Sequence, residues 1–277
     1  MNTITLPPII EPEQLEQLLT QDDLRIVDLS KYETYAYGHI PGAVHLEYKE
    51  IVTARPPVMG LLPDTAGMEY ITARIGLTPD TQVVAYDDEG GGKAARLLWT
   101  LECIGHRRLT MLNGGIHAWV KEGHPLEQTP NTVAAGRYPL QHNDAVIATR
   151  DYIQQNLHND AVVMLDNRTP EEYNGEKKFA ARGGHIPGAV NLDWVHLLDK
   201  QNNLRLKPEA TLRQLLQAHG VTADKTIVTY CQTNHRSALV FYVLSALGYP
   251  NIKAYPGSWS EWGNLSDTPI EQANCPA

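Results

Sequence analysis

Short runs of branched and aromatic residues recur along this chain, each followed by a stretch whose apolar residues return every three or four positions. Thr226-Ile-Val-Thr-Tyr230 is too short and too branched for a helix and predicts a buried strand. After it, residues 237–247 place Leu239, Val243, Leu244 and Leu247 on one helical face. Residues 25–29 and 161–165 read as further buried strands, entered by helical patterns over 11–20 and 149–157. Each half of the chain then reads as helix, strand, turn, helix, strand, loop, helix, strand, a glycine-marked turn and a final helix. Strands alternating with helices predict an α/β fold with parallel sheets covered by helices on both faces. In such sheets ligands lie beyond the carboxyl ends of the strands. No window approaches eighteen consecutive apolar residues, so no transmembrane helix is expected. The start lacks the positive segment and apolar run of a signal peptide.

The pattern occurs twice. Gly38-His-Ile-Pro-Gly-Ala-Val44 returns letter for letter as Gly184-His-Ile-Pro-Gly-Ala-Val190. Gln82-Val-Val-Ala-Tyr-Asp87 corresponds to Thr226-Ile-Val-Thr-Tyr-Cys231, and Asn113-Gly-Gly115 before Trp119 to Tyr255-Pro-Gly257 before Trp262. A period of about 145 residues is too long for a solenoid and fits two tandem domains. The expected bounds are 8–128 and 145–275, with the aperiodic, Pro- and Gly-bearing segment 129–144 as linker. The Gly-His-Ile-Pro-Gly-Ala motif sits in both halves, so we read His39 and His185 as parts of a fixed turn rather than as catalysts.

Composition narrows the function classes. A hydrophobic fraction of 42% and a charged fraction of 20% describe a globular chain with material for real cores. The formal net charge of −9 argues against nucleic acid and anionic membrane as partners. Three cysteines, Cys103, Cys231 and Cys275, without CxxC spacing disfavour a disulfide framework or a zinc site and favour a reducing, cytoplasmic setting. Cys103 reads as a small buried hydrophobe, and Cys275, near the end, as an exposed thiol.

The chemistry concentrates between the strand 226–230 and the helix after it. Cys231-Gln-Thr-Asn-His-Arg236 joins them, with a thiol at its entrance and a guanidinium at its exit. A strand feeding a tight loop that opens a helix turns backbone N–H groups into the loop, beside the positive end of the helix dipole. A cysteine in such an anion cradle is expected to be a thiolate near neutral pH. Phosphate-ester hydrolysis, arsenate or peroxide chemistry, and sulfur transfer through a persulfide would all use it. Spacing separates them: a phosphoryl group with three equatorial oxygens needs the wider ring of Cys-x5-Arg. Here four residues lie between Cys231 and Arg236, a ring suited to one sulfur atom.

With the twin Gly-His-Ile-Pro-Gly-Ala turns, this six-residue loop and the closing Gly257-Ser-Trp-Ser-Glu-Trp262, nearly the whole chain resembles the two-domain rhodaneses, thiosulfate sulfurtransferases. The resemblance implies two similarly folded α/β domains, the first without the catalytic cysteine, and ping-pong transfer of a sulfane sulfur with no cofactor. Asp87 stands where Cys231 would be, followed by Asp88 and Glu89, and a carboxylate cannot carry a persulfide. No metal is expected there. By the same resemblance Cys231 attacks the outer sulfur of thiosulfate, and the N–H groups from Gln232 through Thr233, Asn234, His235 and Arg236 to Ser237 hold the persulfide. Arg236 orients the loop and balances charge. Ser237 either adds a hydroxyl donor or caps the helix. The acceptor is cyanide, a thiol or a sulfur-using protein.

Departures from the family pattern bear on the donor. Animal rhodaneses carry extra basic residues near the loop, absent here. Mercaptopyruvate-using relatives place a substrate-binding arginine near Glu172, where an acid is a poor carboxylate receptor, so thiosulfate is favoured over 3-mercaptopyruvate. A module that only relays persulfide, and less readily a Cys-dependent phosphatase, would also use an activated thiol in this loop. Asp166 and Arg168 either line the cleft or pair to order a turn. Trp194, Trp259 and Trp262 read as core or cleft wall, with Trp194 a candidate pocket residue.

Overall fold

The computed structural model describes residues 5–272, so Cys275 lies outside the described residues. The described residues divide into two compact units: the first comprises 5–52, 63–143 and 198–206, the second 53–62, 144–197 and 207–272. The first unit holds a five-stranded sheet in the order Ile9–Ile10, Leu109–Leu112, Gln82–Tyr86, Leu24–Asp28, Val44–His45. The second holds four strands in the order Ile252–Ala254, Thr226–Tyr230, Val162–Asp166, Val190–Asn191. Every pairing in the two sheets is parallel, with Val27 opposite Ala85 in one and Leu165 opposite Thr229 in the other.

Central strands buried on both faces explain the uninterrupted apolar runs, because a parallel sheet has helices against each side. Gln82–Tyr86 is buried at every position. Trp119, Tyr86, Ile26 and Val84 pack in the core of the first unit. Trp259, Trp262, Tyr230 and Met164 do so in the second.

The helices start where their capping chemistry places them. Thr149 accepts from the Tyr152 N–H ahead of Arg150–Gln155. Thr169 and Glu172 form a capping box around Pro170–Asn174, with Pro170 in the first turn. The helix expected over 11–20 is shorter, Pro12–Glu16. Beyond it Leu18 and Leu19 bond three residues back, to Leu15 and Glu16, so the chain tightens into turns. Arg236–Ala246 is a helix as expected, but Ser237 to Leu244 are buried without a break, so its apolar residues line no single stripe.

The repeated turns are built alike. His39 is buried, with Nδ1 2.8 Å from the Tyr35 carbonyl and its ring stacked on Tyr35 at 3.8 Å. His185 repeats this with the Tyr173 carbonyl at 2.8 Å and the Tyr173 ring at 3.6 Å. Both imidazoles serve the turn, stacked and bonded within their own segments.

Candidate active site

Cys231 follows the last residue of the strand Thr226–Tyr230, and Arg236 opens the helix Arg236–Ala246. The loop between them is pulled outward at two carbonyls. Trp259 N–H donates to the Cys231 carbonyl and Ser260 N–H to the Gln232 carbonyl, both at 2.9 Å. In a trans peptide the carbonyl and the next N–H point opposite ways, so the Gln232 and Thr233 amides turn inward. The helix Ser258–Trp262 therefore shapes the cradle from outside. A hairpin from the same unit, with strands Thr53–Arg55 and Val58–Leu61, packs against this helix and the loop. Met59 N–H donates to Ser260 Oγ at 3.0 Å. Gly60 lies so close that a Cβ there would meet the Thr233 carbonyl oxygen at 2.2 Å.

The thiol of Cys231 is buried completely. Burial pushes it up, but the Arg236 charge and hydrogen bonds from the Ser237 hydroxyl, the Ser237 N–H and the Thr233 N–H bring it below its ordinary value. Ser237 has one hydroxyl proton and two takers, the sulfur and Asn234 Oδ1 at 2.8 Å.

Arg236 spends its fork on a carboxylate. Nη1 and Nη2 donate to the two oxygens of Glu172 at 2.6 and 2.9 Å, a bidentate pair with the Glu172 side chain only 2% exposed. Burial raises the Glu172 carboxyl, yet its bond to Arg236 brings it below the usual range. The order of residues marks Glu172 only as a poor carboxylate receptor; its role as partner of Arg236 crosses 64 residues of chain. The nearest local signal was the capping box with Thr169, which sets this side chain at a helix start.

The remaining expected residues are dispersed around the loop. Asp166 and Arg168 are sealed from solvent and paired through Nε at 2.9 and 3.1 Å. Arg168 also donates to the Gly184 carbonyl at 2.7 Å and lies 4.4 Å over the Trp259 ring. Trp194 is half-buried with its ring 6.4 Å from that of His235. Gln232 donates through Nε2 to the Phe179 carbonyl at 3.0 Å. Asn234 is fully buried in a left-handed conformation, φ +52°. Cys103 is buried as a small apolar residue. Among the described residues, no group of three or more His, Cys, Asp or Glu is arranged to hold a metal ion.

The corresponding loop of the first unit is filled by its own side chain. The buried Asp87 carboxylate accepts from the N–H groups of Glu89, Gly91, Lys93 and Ala94, at 2.8 to 3.0 Å. Lys93 Nζ meets Asp88 at 2.7 Å. This loop geometry holds an anion at the end of the strand, which is where the sulfur of Cys231 stands in the other copy.

Comparison with known proteins accords with this geometry. Residues 11–122 and 149–265 each match the rhodanese-like domain. The chain is 44% identical over 267 residues to a thiosulfate sulfurtransferase of Azotobacter vinelandii, covering 96% of this chain and 98% of that one. It is 33% identical over 276 residues to a sulfur carrier protein of Thermus thermophilus, covering 95% of each. A 3-mercaptopyruvate sulfurtransferase of Escherichia coli is 30% identical over 248 residues, covering 88% and 87%. The solved Escherichia coli 3-mercaptopyruvate sulfotransferase shares the fold at a TM-score of 0.82 and 24% identity, over 92% of this chain and 99% of that one. With both halves matched and the turns, loop and sheets repeated in each, the chain belongs to the rhodanese family as a two-domain member.

Proposed function

We propose that this protein is a thiosulfate sulfurtransferase that carries sulfur as a persulfide on Cys231. The observation that carries the reading is a fully buried thiol brought below its ordinary pKa by a charge and a set of inward donors. The Cys231 thiolate attacks the outer sulfur of thiosulfate. A sulfur–sulfur bond forms to the cysteine, the bond to the sulfonate sulfur breaks, and its electron pair leaves on sulfite. Cys231 then holds Cys–S–S⁻, and total charge is unchanged. The Thr233 and Ser237 amides and the Ser237 hydroxyl are set to stabilise that anion, with Gln232, Asn234, His235 and Arg236 completing the ring. A thiophilic acceptor (cyanide in an assay, a thiol or a protein in a cytoplasmic setting) removes the outer sulfur and regenerates the thiolate. Two relatives named for thiosulfate are 44% and 43% identical to this chain, against 30% for one named for mercaptopyruvate, which supports thiosulfate as donor.

On this reading residues 8–128 form a domain without the nucleophile, 129–144 the linker and 145–275 the catalytic domain, with the segment 53–62 packing in the second unit and 198–206 in the first. The test assays thiosulfate:cyanide transfer and aryl-phosphate hydrolysis on one preparation. Transfer without hydrolysis is expected, and hydrolysis without transfer overturns the assignment. The similarity to a sulfur carrier supports a relay as the second reading. Single-turnover loading of Cys231 with negligible steady-state turnover would favour it.

A further inference from the structure

We infer that Ser258 is a positioning residue of the Cys231 loop, its hydroxyl tying both ends of the turn 231–234 to one oxygen so that the remaining amides face the sulfur. Ser258 has φ +49°, the left-handed region that penalises any residue with a Cβ. The first unit shows what this position takes by default. Its counterpart is Gly115 with φ +53°, one place off the sequence match of 113–115 with 255–257, because Ile116 N–H donates to the Asp87 carbonyl as Trp259 N–H donates to that of Cys231. A Cβ at Gly115 would lie 2.3 Å from the Asp87 carbonyl oxygen. One copy keeps glycine; the copy with the thiol accepts the conformational cost and gains a hydroxyl.

That hydroxyl is fully engaged and has no exposure to solvent. Ser258 Oγ accepts from the Cys231 N–H at 3.3 Å and the Asn234 N–H at 3.1 Å, and donates to the Tyr255 carbonyl at 2.7 Å. Asn234 repeats the exchange. It is left-handed at φ +52° where the first unit has Gly90 at φ +99°, and its Oδ1 accepts from Ser237 Oγ. A chain of bonds thus runs from Ser237, a donor to Cys231, through Asn234 to Ser258 and the backbone beneath. Two polar residues held in a conformation suited to glycine, both next to the thiol and both replacing glycines of the silent copy, assign the bonding to the reactive loop rather than to the fold.

The inference rests on Cys231 being the sulfur carrier, and the test reads the two apart. Iodoacetamide alkylation of Cys231 as a function of pH needs no sulfur donor. In Ser258→Gly the strain is relieved while the tether is lost. The midpoint of alkylation should rise by about one pH unit, and thiosulfate kcat/KM should fall about tenfold, with the thermal midpoint near that of the parent. Ser258→Ala should show the same thiol shift with a lower thermal midpoint, since it keeps the left-handed Cβ. Parent-like alkylation profiles and kcat in both variants overturn the inference. Should neither variant fold, amide exchange in the parent decides. Slow exchange at Cys231 and Asn234 supports the tether, and exchange as fast as in solvent-facing loops overturns it. A parent with no thiosulfate turnover at all would sink the proposed function while leaving the alkylation test readable.

Discussion

Arg236→Gln separates the electrostatic role of the loop from its structural role. The guanidinium makes a bidentate pair with Glu172, whose side chain is 2% exposed. Removing it strands a buried carboxylate, and breaking a buried pair in this way costs about 3–5 kcal/mol. At about 3–4 °C per kcal/mol for a domain of this size, the second unit should melt roughly 10 °C or more below the parent. The same change removes the charge that holds the Cys231 thiol down, leaving burial to push it up. A rise of one unit, about 1.4 kcal/mol, shifts the thiolate-to-thiol ratio at a given pH about tenfold toward the thiol. Pairing the change with Glu172→Gln removes the stranded charge as well. The double variant should regain most of the lost melting temperature, yet its thiol should still titrate high. Calorimetry and the pH profile of iodoacetamide alkylation measure the two effects on the same samples. The reasoning is refuted if the single variant alkylates with the parent profile, or if the double variant melts no higher than the single.

Further outcomes are expected. Cys231→Ser should abolish sulfur transfer with the parent circular dichroism spectrum retained; turnover in that variant would remove Cys231 from the mechanism. Intact mass after thiosulfate should show one added sulfur, about 32 Da, released by cyanide. Asp87→Ala should leave the amides of its loop without their acceptor and destabilise the first unit by about 3 kcal/mol, read as a lower urea midpoint. Glu172 is held below its ordinary value, so its contribution is complete above about pH 4.3 and is lost as the pH falls through the depressed folded value. A pH–stability curve of Glu172→Gln should therefore converge with the parent at the acid end.

The buried β-rich runs, the helix after the loop and the duplication were all legible, because their signals are local: apolar periodicity, capping residues and a repeated turn. Thr226–Tyr230 forms over the predicted residues. The four-residue spacing between Cys231 and Arg236 and the exchange of cysteine for Asp87 are likewise plain in the order of residues. What those residues touch was not. Arg236 reads as a cation awaiting an anion until Glu172 arrives from another helix start to occupy it. Asp166 and Arg168 read equally as cleft or turn, and only the fold shows that they are buried and paired. Nothing in the order of residues marks Ser258, since left-handed backbone is imposed by packing and no local propensity announces it. The order of residues alone dictates the two α/β halves and where the thiol falls between strand and helix. The charge around that thiol and the tether beneath it come from packing, because they depend on groups 27 and 64 residues apart that meet when the strand ends converge.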